Sequence, residues 1–331
     1  VSFDVRPDAM DSDTDPVAIR RKIEALGTQL SLPTVRKALG VLEGEHASGR
    51  RGGAGDVMDV RAYEPGDESR LIDWKTSARQ GRPMVVQRER LATSKVWLLM
   101  DVGLEMNGVC PSGERIFEVA ANALRMFAAL SLRRSDDISL VFGDASSITR
   151  IPFNGGFAQF ERTLDQALER EWSHRRNIDA LLAYARRIKD RDALIVLATD
   201  EHALAERHLV EFRRVARTHP MVLIDVATLN PFLGLRPGHA AAVDGLTNRR
   251  VPAFLRSAKA ASEVESHRAY MAAALEQELG RTGSHMIHAG SSEVMFDRFV
   301  HLVSAALART TRNRLGAAPD LSAMLTPGGA R

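Results

Sequence analysis

The sequence is short of cysteine, of aromatic residues and of any excess charge. One cysteine, Cys110, stands among 331 residues. That excludes a disulfide framework and a Cys/His zinc pattern, and it suits a reducing compartment. No run approaches the ~18 consecutive apolar residues that span a bilayer. The opening stretch, VSFDVRPDAMDSDTD, is acidic and holds no apolar signal region. The expected location is therefore cytoplasmic, with no membrane span. Lys and Arg number 45 against 42 Asp and Glu, a net charge of +3. Nucleic-acid binding needs a concentrated basic face. The short runs Gly49-Arg50-Arg51 and Arg133-Arg134 read as solvated surface, so no nucleic-acid partner is expected.

Catalytic motifs are absent too. No HExxH and no GxSxG occurs. Gly52-Gly53-Ala54-Gly55 lacks the Lys-Ser/Thr of a phosphate loop and reads as a flexible loop. The histidines are scattered. No catalytic residue is assigned, and the chain is expected not to be an enzyme.

What is present is an ordinary globular composition, 44% hydrophobic and 26% charged. From Lys95 onward, short apolar runs alternate with segments of helical period. Val96–Met100, Ile138–Phe142, Ala193–Ala198, Met221–Val226 and His285–His288 fit strands buried on both faces. Ile148–Phe153 fits an antiparallel edge strand. Ile116, Ala120, Ala123, Phe127 and Leu130 share a helix face; so do Val264, Met271 and Leu275, and Phe296, Val300, Val303 and Leu307. This alternation predicts an α/β fold, a doubly wound, mostly parallel sheet.

Before Lys95, residues 17–43 carry helical spacing, with Pro33 separating two short helices. Residues 57–92 hold turn signals and short alternating runs. The expected organisation is a disordered tail over 1–16, a small helical and β-rich section over 17–94, the sheet domain over 95–310, and a flexible tail over 311–331.

In an open parallel sheet, ligands gather at the carboxyl ends of the strands. Asp101 follows VWLLM and Asp200 follows LIVLAT, so both acids are expected there. Carboxylates so placed suit Mg²⁺; alternatively Asp200 caps the helix that contains Leu204 and Leu209. The densest polar segment is RAYEPGDESRLIDWKTSAR, from Arg61 to Arg79. Pro65-Gly66 marks a turn. Around it lie Arg61, Tyr63, Asp67, Arg70, Asp73, Trp74, Lys75 and Arg79. Two readings stand: a docking surface or anion site, and an internal network of Arg–Asp pairs that fixes the fold.

That segment resembles the signature of the bacterial family called domain of unknown function 58, R-x-Y-x-P-G-D-x-x-R-x-I-D-W-x-x-x-A-R. Here Arg61, Tyr63, Pro65, Gly66, Asp67, Arg70, Ile72, Asp73, Trp74, Ala78 and Arg79 match it without a gap. The resemblance extends from about residue 20 to 309. It implies a core similar to a von Willebrand factor type A domain and a partner among MoxR-type AAA+ ATPases, as an adaptor in protein maturation or complex assembly. Type A domains hold Mg²⁺ through D-x-S-x-S, a threonine and a later aspartate. In this chain the first motif reads Asp101-Val102-Gly103-Leu104-Glu105. Both serines are lost, and no threonine stands near Asn177-Ile178-Asp179. The resemblance thus implies a degenerate metal site of Asp101, Glu105 and Asp200, and no cofactor is assigned. The alternatives are a divalent-cation-dependent ligand binder using those three acids, and an enzyme acting on phosphorylated substrates through the arginine-rich signature.

Overall fold

The computed structural model describes residues 16–29, 57–64, 72–88, 95–132, 137–169, 172–191, 193–232, 252 and 257–316. In chain order the elements are α1 (Pro16–Gln29), β1 (Val57–Ala62), α2 (Trp74–Gln80), β2 (Met84–Arg88), β3 (Lys95–Asp101), α3 (Ile116–Ser131), β4 (Asp137–Gly143), β5 (Ile148–Ile151), α4 (Phe157–Leu168), α5 (Ile178–Arg187), β6 (Leu194–Asp200), α6 (Glu206–Ala216), β7 (Met221–Val226), α7 (Ala258–Gly280), β8 (His285–Ala289) and α8 (Ser292–Gly316). They fall into two units. One spans Gly44–Thr93; the other joins Val1–Glu43 to Ser94–Arg331.

The larger unit is built on a six-stranded sheet of order β5-β4-β3-β6-β7-β8. Every pairing is parallel except that of β4 with β5. The doubly wound α/β expectation holds. Successive strand residues point to opposite faces, and the strands serve two cores. Leu98, Met100, Leu140, Phe142, Val196 and Ile224 face one core, closed by α1, α3, α4 and α8 through Ile23, Phe127, Phe160 and Phe299. Leu99, Val141, Ile195, Leu197 and Leu223 face the other, closed by α5, α6 and α7 through Leu181, Phe212 and Leu275. Strands with apolar residues on both faces read as continuous hydrophobic runs, which is why the sequence shows them so plainly.

Three expectations need correction. α1 does not belong with a section over 17–94. Ile19, Ile23 and Leu26 are buried in the sheet domain's core, and Arg20 grips Asp165 of α4 at 3.0 and 3.1 Å. The tail expected from 311 is helical as far as Gly316, because α8 continues without a break. Asp200 does not cap a helix. α6 starts at Glu206 after Ala205, too far along for Asp200 to reach its free amides. The expected tails over 1–15 and 317–331, the second short helix after Pro33, the loop over 44–56 and most of the loop-rich stretch 228–252 lie outside the described residues.

The smaller unit pairs β1 with β2 antiparallel and lays α2 beside them. Asp73 is the N-cap of α2; its carboxylate accepts from the amides of Lys75 and Thr76 at 3.0 and 3.2 Å and from Thr76 Oγ1 at 2.7 Å. Gly81 ends the helix in the left-handed region, at φ 65°. Buried Ser77 ties helix to strand, donating to Asp73 O at 2.6 Å and accepting from Met84 N at 2.8 Å. Among the described residues, no helix is long and apolar enough to cross a membrane.

Candidate functional site

Counted within the sheet, the strands run 3-2-1-4-5-6, and the order reverses between β3 and β6. Such a switch point opens a crevice at the carboxyl ends of the strands. Asp101 ends β3 and Asp200 ends β6. Both are buried.

The crevice is filled by an arginine. Arg176 Nη1 donates to Asp200 Oδ1 at 2.8 Å, and Nη2 donates to Asp200 Oδ2, a bidentate pair. The backbone amide of Arg176 donates to Glu105 Oε2 at 3.0 Å, and its Nε lies 3.7 Å from the same oxygen. Burial works against the guanidinium charge. The bonds to Asp200 and the charges of Asp200, Asp101 and Glu105 outweigh it and raise its pKa above the ordinary arginine value. Asp200 Oδ1 also accepts from the amides of His202 and Ala203 at 2.8 and 3.0 Å.

Asp101 is held differently. Its Oδ1 accepts from the Gly103 amide at 2.9 Å, and its Oδ2 from Thr199 Oγ1 at 2.8 Å. Burial pushes its carboxyl up to about 6, against the pull of Arg176.

Local sequence explains how Arg176 gets there. Asn177 caps α5 through Ala180 N at 3.0 Å, so the preceding residue enters from an extended loop. That loop is zipped to its neighbours. Leu104 N donates to His174 O at 2.8 Å, and Ala145 N to Arg175 O at 2.7 Å. A Cβ on Gly103 would lie 2.5 Å from Arg176 N and 2.6 Å from its Cα. Gly103 is thus required by space, because its φ of −61° is open to any residue.

The three acids singled out for a metal, Asp101, Glu105 and Asp200, do converge. They converge on Arg176, which sequence reasoning did not name. The signal was its position, immediately before the segment where the resemblance led one to look for threonine. The residues present do not fit a divalent cation. The guanidinium takes both Asp200 oxygens, and the backbone of residue 176 takes the space of a side chain at 103. Among the described residues, no set of three or more His, Cys, Asp or Glu is arranged to hold a metal.

Beside this charged knot is a cavity of about 310 Å³, lined by Val102, Leu104, Met106, Phe117, Leu168 and Trp172 together with Gly103 and Asn107. Further along the same edge, Glu201 accepts from Thr228 N at 2.7 Å and Thr228 Oγ1 at 2.8 Å, and pairs with Arg268 at 3.2 Å. Asp225 Oδ2 lies 2.8 Å from His288 Nδ1. Sequence reading missed this network as well. The arrangement offers apolar surface next to fixed, paired charge, which suits binding. Cys110 is buried, and burial first, then nearby acids, push its thiol up to about 12. It is no nucleophile at neutral pH.

The signature residues divide. Asp73 is the helix cap, and Ile72 bridges to Val85. Trp74, Lys75, Arg79 and Tyr63 are exposed. Arg61 lies on β1, paired with Val85. Pro65, Gly66, Asp67 and Arg70 lie outside the described residues. Among the described residues, Lys75 and Arg79 enter no ion pair.

The chain is 29% identical over 136 residues to uncharacterized proteins of Mycobacterium bovis and Mycobacterium tuberculosis, a match covering 41% of this chain and 42% of each relative. It therefore spans less than half the length of these relatives. Among solved structures it is similar to the SpRpn10 VWA domain, with a TM-score of 0.38 and 10% identity, over 63% of this chain and 94% of that one. It is also similar to a point mutant of the PilB minor pilin from Streptococcus sanguinis, with a TM-score of 0.41 and 12% identity, over 75% of this chain and 67% of that one. A family model described as "Protein of unknown function DUF58" matches residues 59–230, just over half of the sequence, and the chain belongs to that family.

Proposed function

We propose that this chain is a non-catalytic binding module that presents the carboxyl edge of its sheet to a protein partner without a bridging metal ion. One observation carries the reading: Arg176 lies in the crevice between the acids, bonded to Asp200 and Glu105. An arginine of the chain itself supplies the positive charge, so a partner need not complete a metal's coordination shell. The neighbouring cavity offers a seat for one apolar side chain. The family resemblance supports a MoxR-type AAA+ ATPase as the partner, with the chain acting as its adaptor in the cytoplasm.

The test is co-purification of the full chain with such an ATPase, with and without nucleotide. Recovery of the complex is expected, and in the nucleotide-free sample it is expected to survive chelation of divalent ions. Arg176→Ala is expected to lose the complex, and Leu104→Glu, which places a charge at the cavity, is expected to weaken it. No recovery under any condition would overturn the partner. Loss of the nucleotide-free complex on chelation would overturn the metal-independent mode.

A further inference from the structure

Among its described residues, the small unit carries an exposed face on α2. A helix turns about 100° per residue, so Trp74, Ala78, Lys75 and Arg79 follow one another round an arc of about 140° on α2. All four are exposed, whereas Ser77 outside that arc is buried against β2. Trp74 is 71% exposed, unusual for so large an apolar side chain. Ala78, one turn on, is too small to shelter the indole. Tyr63, at 38%, is a second exposed aromatic of this unit, and exposed Arg82 follows the Gly81 cap. Among the described residues, Lys75, Arg79 and Arg82 enter no ion pair, and the cation that lies over an indole is Arg150, on Trp97 rather than Trp74. Trp, Tyr and Arg are the side chains that dominate binding surfaces.

We propose that this face of α2 is a docking surface for an acidic segment of a partner protein. The segment lays an apolar side chain on the Trp74 indole and sets carboxylates against Lys75, Arg79 and Arg82. Charge complementarity selects the partner. A nucleic-acid strand needs a run of cations that neutralises successive phosphates. Here the Asp73 carboxylate, kept ionised by its bonds to Thr76 and Lys75, precedes Trp74 and interrupts the positive field. A peptide with a few carboxylates and an apolar residue fits such a mixed patch; a phosphate backbone does not. This inference does not rest on the ATPase reading, and its test needs no ATPase.

The test is fluorescence anisotropy of the full chain with a short labelled peptide that alternates Asp with Leu. Its counterpart with Asn for every Asp serves as the neutral control. The acidic peptide is expected to bind about tenfold more tightly than the neutral one. Trp74→Ala and Arg79→Glu are each expected to weaken binding about tenfold, as substitutions at the centre of a binding face do. Arg79→Lys should retain most of it. Lys259→Glu, an exposed change on α7, should leave it unaltered. Trp74→Ala and Arg79→Glu alter exposed side chains, so their thermal melts should coincide with wild type. Three results would each overturn the proposal: variants that bind like wild type, a neutral peptide that binds as well as the acidic one, or single-stranded oligothymidine that outcompetes the acidic peptide.

Discussion

Arg176 is one member of a buried ion pair at the sheet edge. Its partner Asp200 is almost wholly buried. Removing one member of a buried ion pair leaves the other uncompensated, at a cost of about 3–5 kcal/mol. Arg176→Ala is therefore expected to destabilise the chain by that order in urea melts. Arg176→Lys recovers part of it, because an ammonium cannot make the two-toothed contact. Asp101 gives a pH signature. A carboxyl whose folded pKa is raised binds protons on folding, so the native state is favoured below the unfolded value near 3.8 and loses that advantage as pH rises through about 6. Asp101→Asn keeps an acceptor for Gly103 and gains a donor towards Thr199. It is expected to match wild type near about pH 4 and to exceed it by up to about 3 kcal/mol at about pH 7. Equal pH dependence in both chains would mean that Asp101 ionises normally. At this scale Asp101 and Asp200 were legible, since each ends a plainly apolar strand. The arginine was not, because it lies in a loop whose path is set by contacts with residues 104 and 145, distant in the chain.

At the scale of elements, the strands of the large sheet and most of its helices were legible, whereas α2, α4 and α5 were not. The runs from Val96, Ile138 and Met221 are apolar but for Ser139 and Asp225, so their burial on both faces shows in any window. α4 and α5 bury only one stripe, Phe160, Leu164 and Ala167 in the first and Ile178, Leu181, Leu182 and Ala185 in the second. Those stripes are diluted by arginine and glutamate. α2 is the instructive case. It has seven residues and one buried side chain, Ser77, so its helicity rests on its cap and on its hold on β2. An isolated helix of that length is not stable in water. Asp73→Ala is expected to free the amides of Lys75 and Thr76, and hydrogen exchange at residues 75–78 should accelerate while β3 stays protected. The bond from Thr76 holds the Asp73 carboxyl below the ordinary aspartate range. A depressed acid stabilises above its unfolded pKa and loses that contribution as pH falls through the folded one. Acidification should therefore release α2 in wild type and leave Asp73→Ala unchanged. Unaltered exchange in the variant would show that the cap does not hold the helix.

The whole molecule is a sheet domain interrupted by a small unit. The first helix of the sheet's supporting layer, α1, precedes the interruption, and the strands begin after it. This order misled the sequence reading, which grouped residues by adjacency and assigned α1 to the section over 17–94. Hydrophobic spacing shows that α1 has an apolar face; it does not show which core receives it. The consequence is testable. Neither of the two sheet cores includes a described residue between 44 and 93. Joining Glu43 to Ser94 through a short Gly/Ser linker is expected to leave a protein with a single cooperative melt. Shortening the connection also lowers the entropy of closing it, by a few tenths of a kcal/mol to about 2. The same excision should abolish binding of the acidic peptide while leaving the Asp101 pH signature intact, because the two features belong to different units. If the excised chain melts broadly or collapses without cooperativity, the small unit is part of the sheet's folding unit, and the exposed face of α2 must be judged as part of one surface with it.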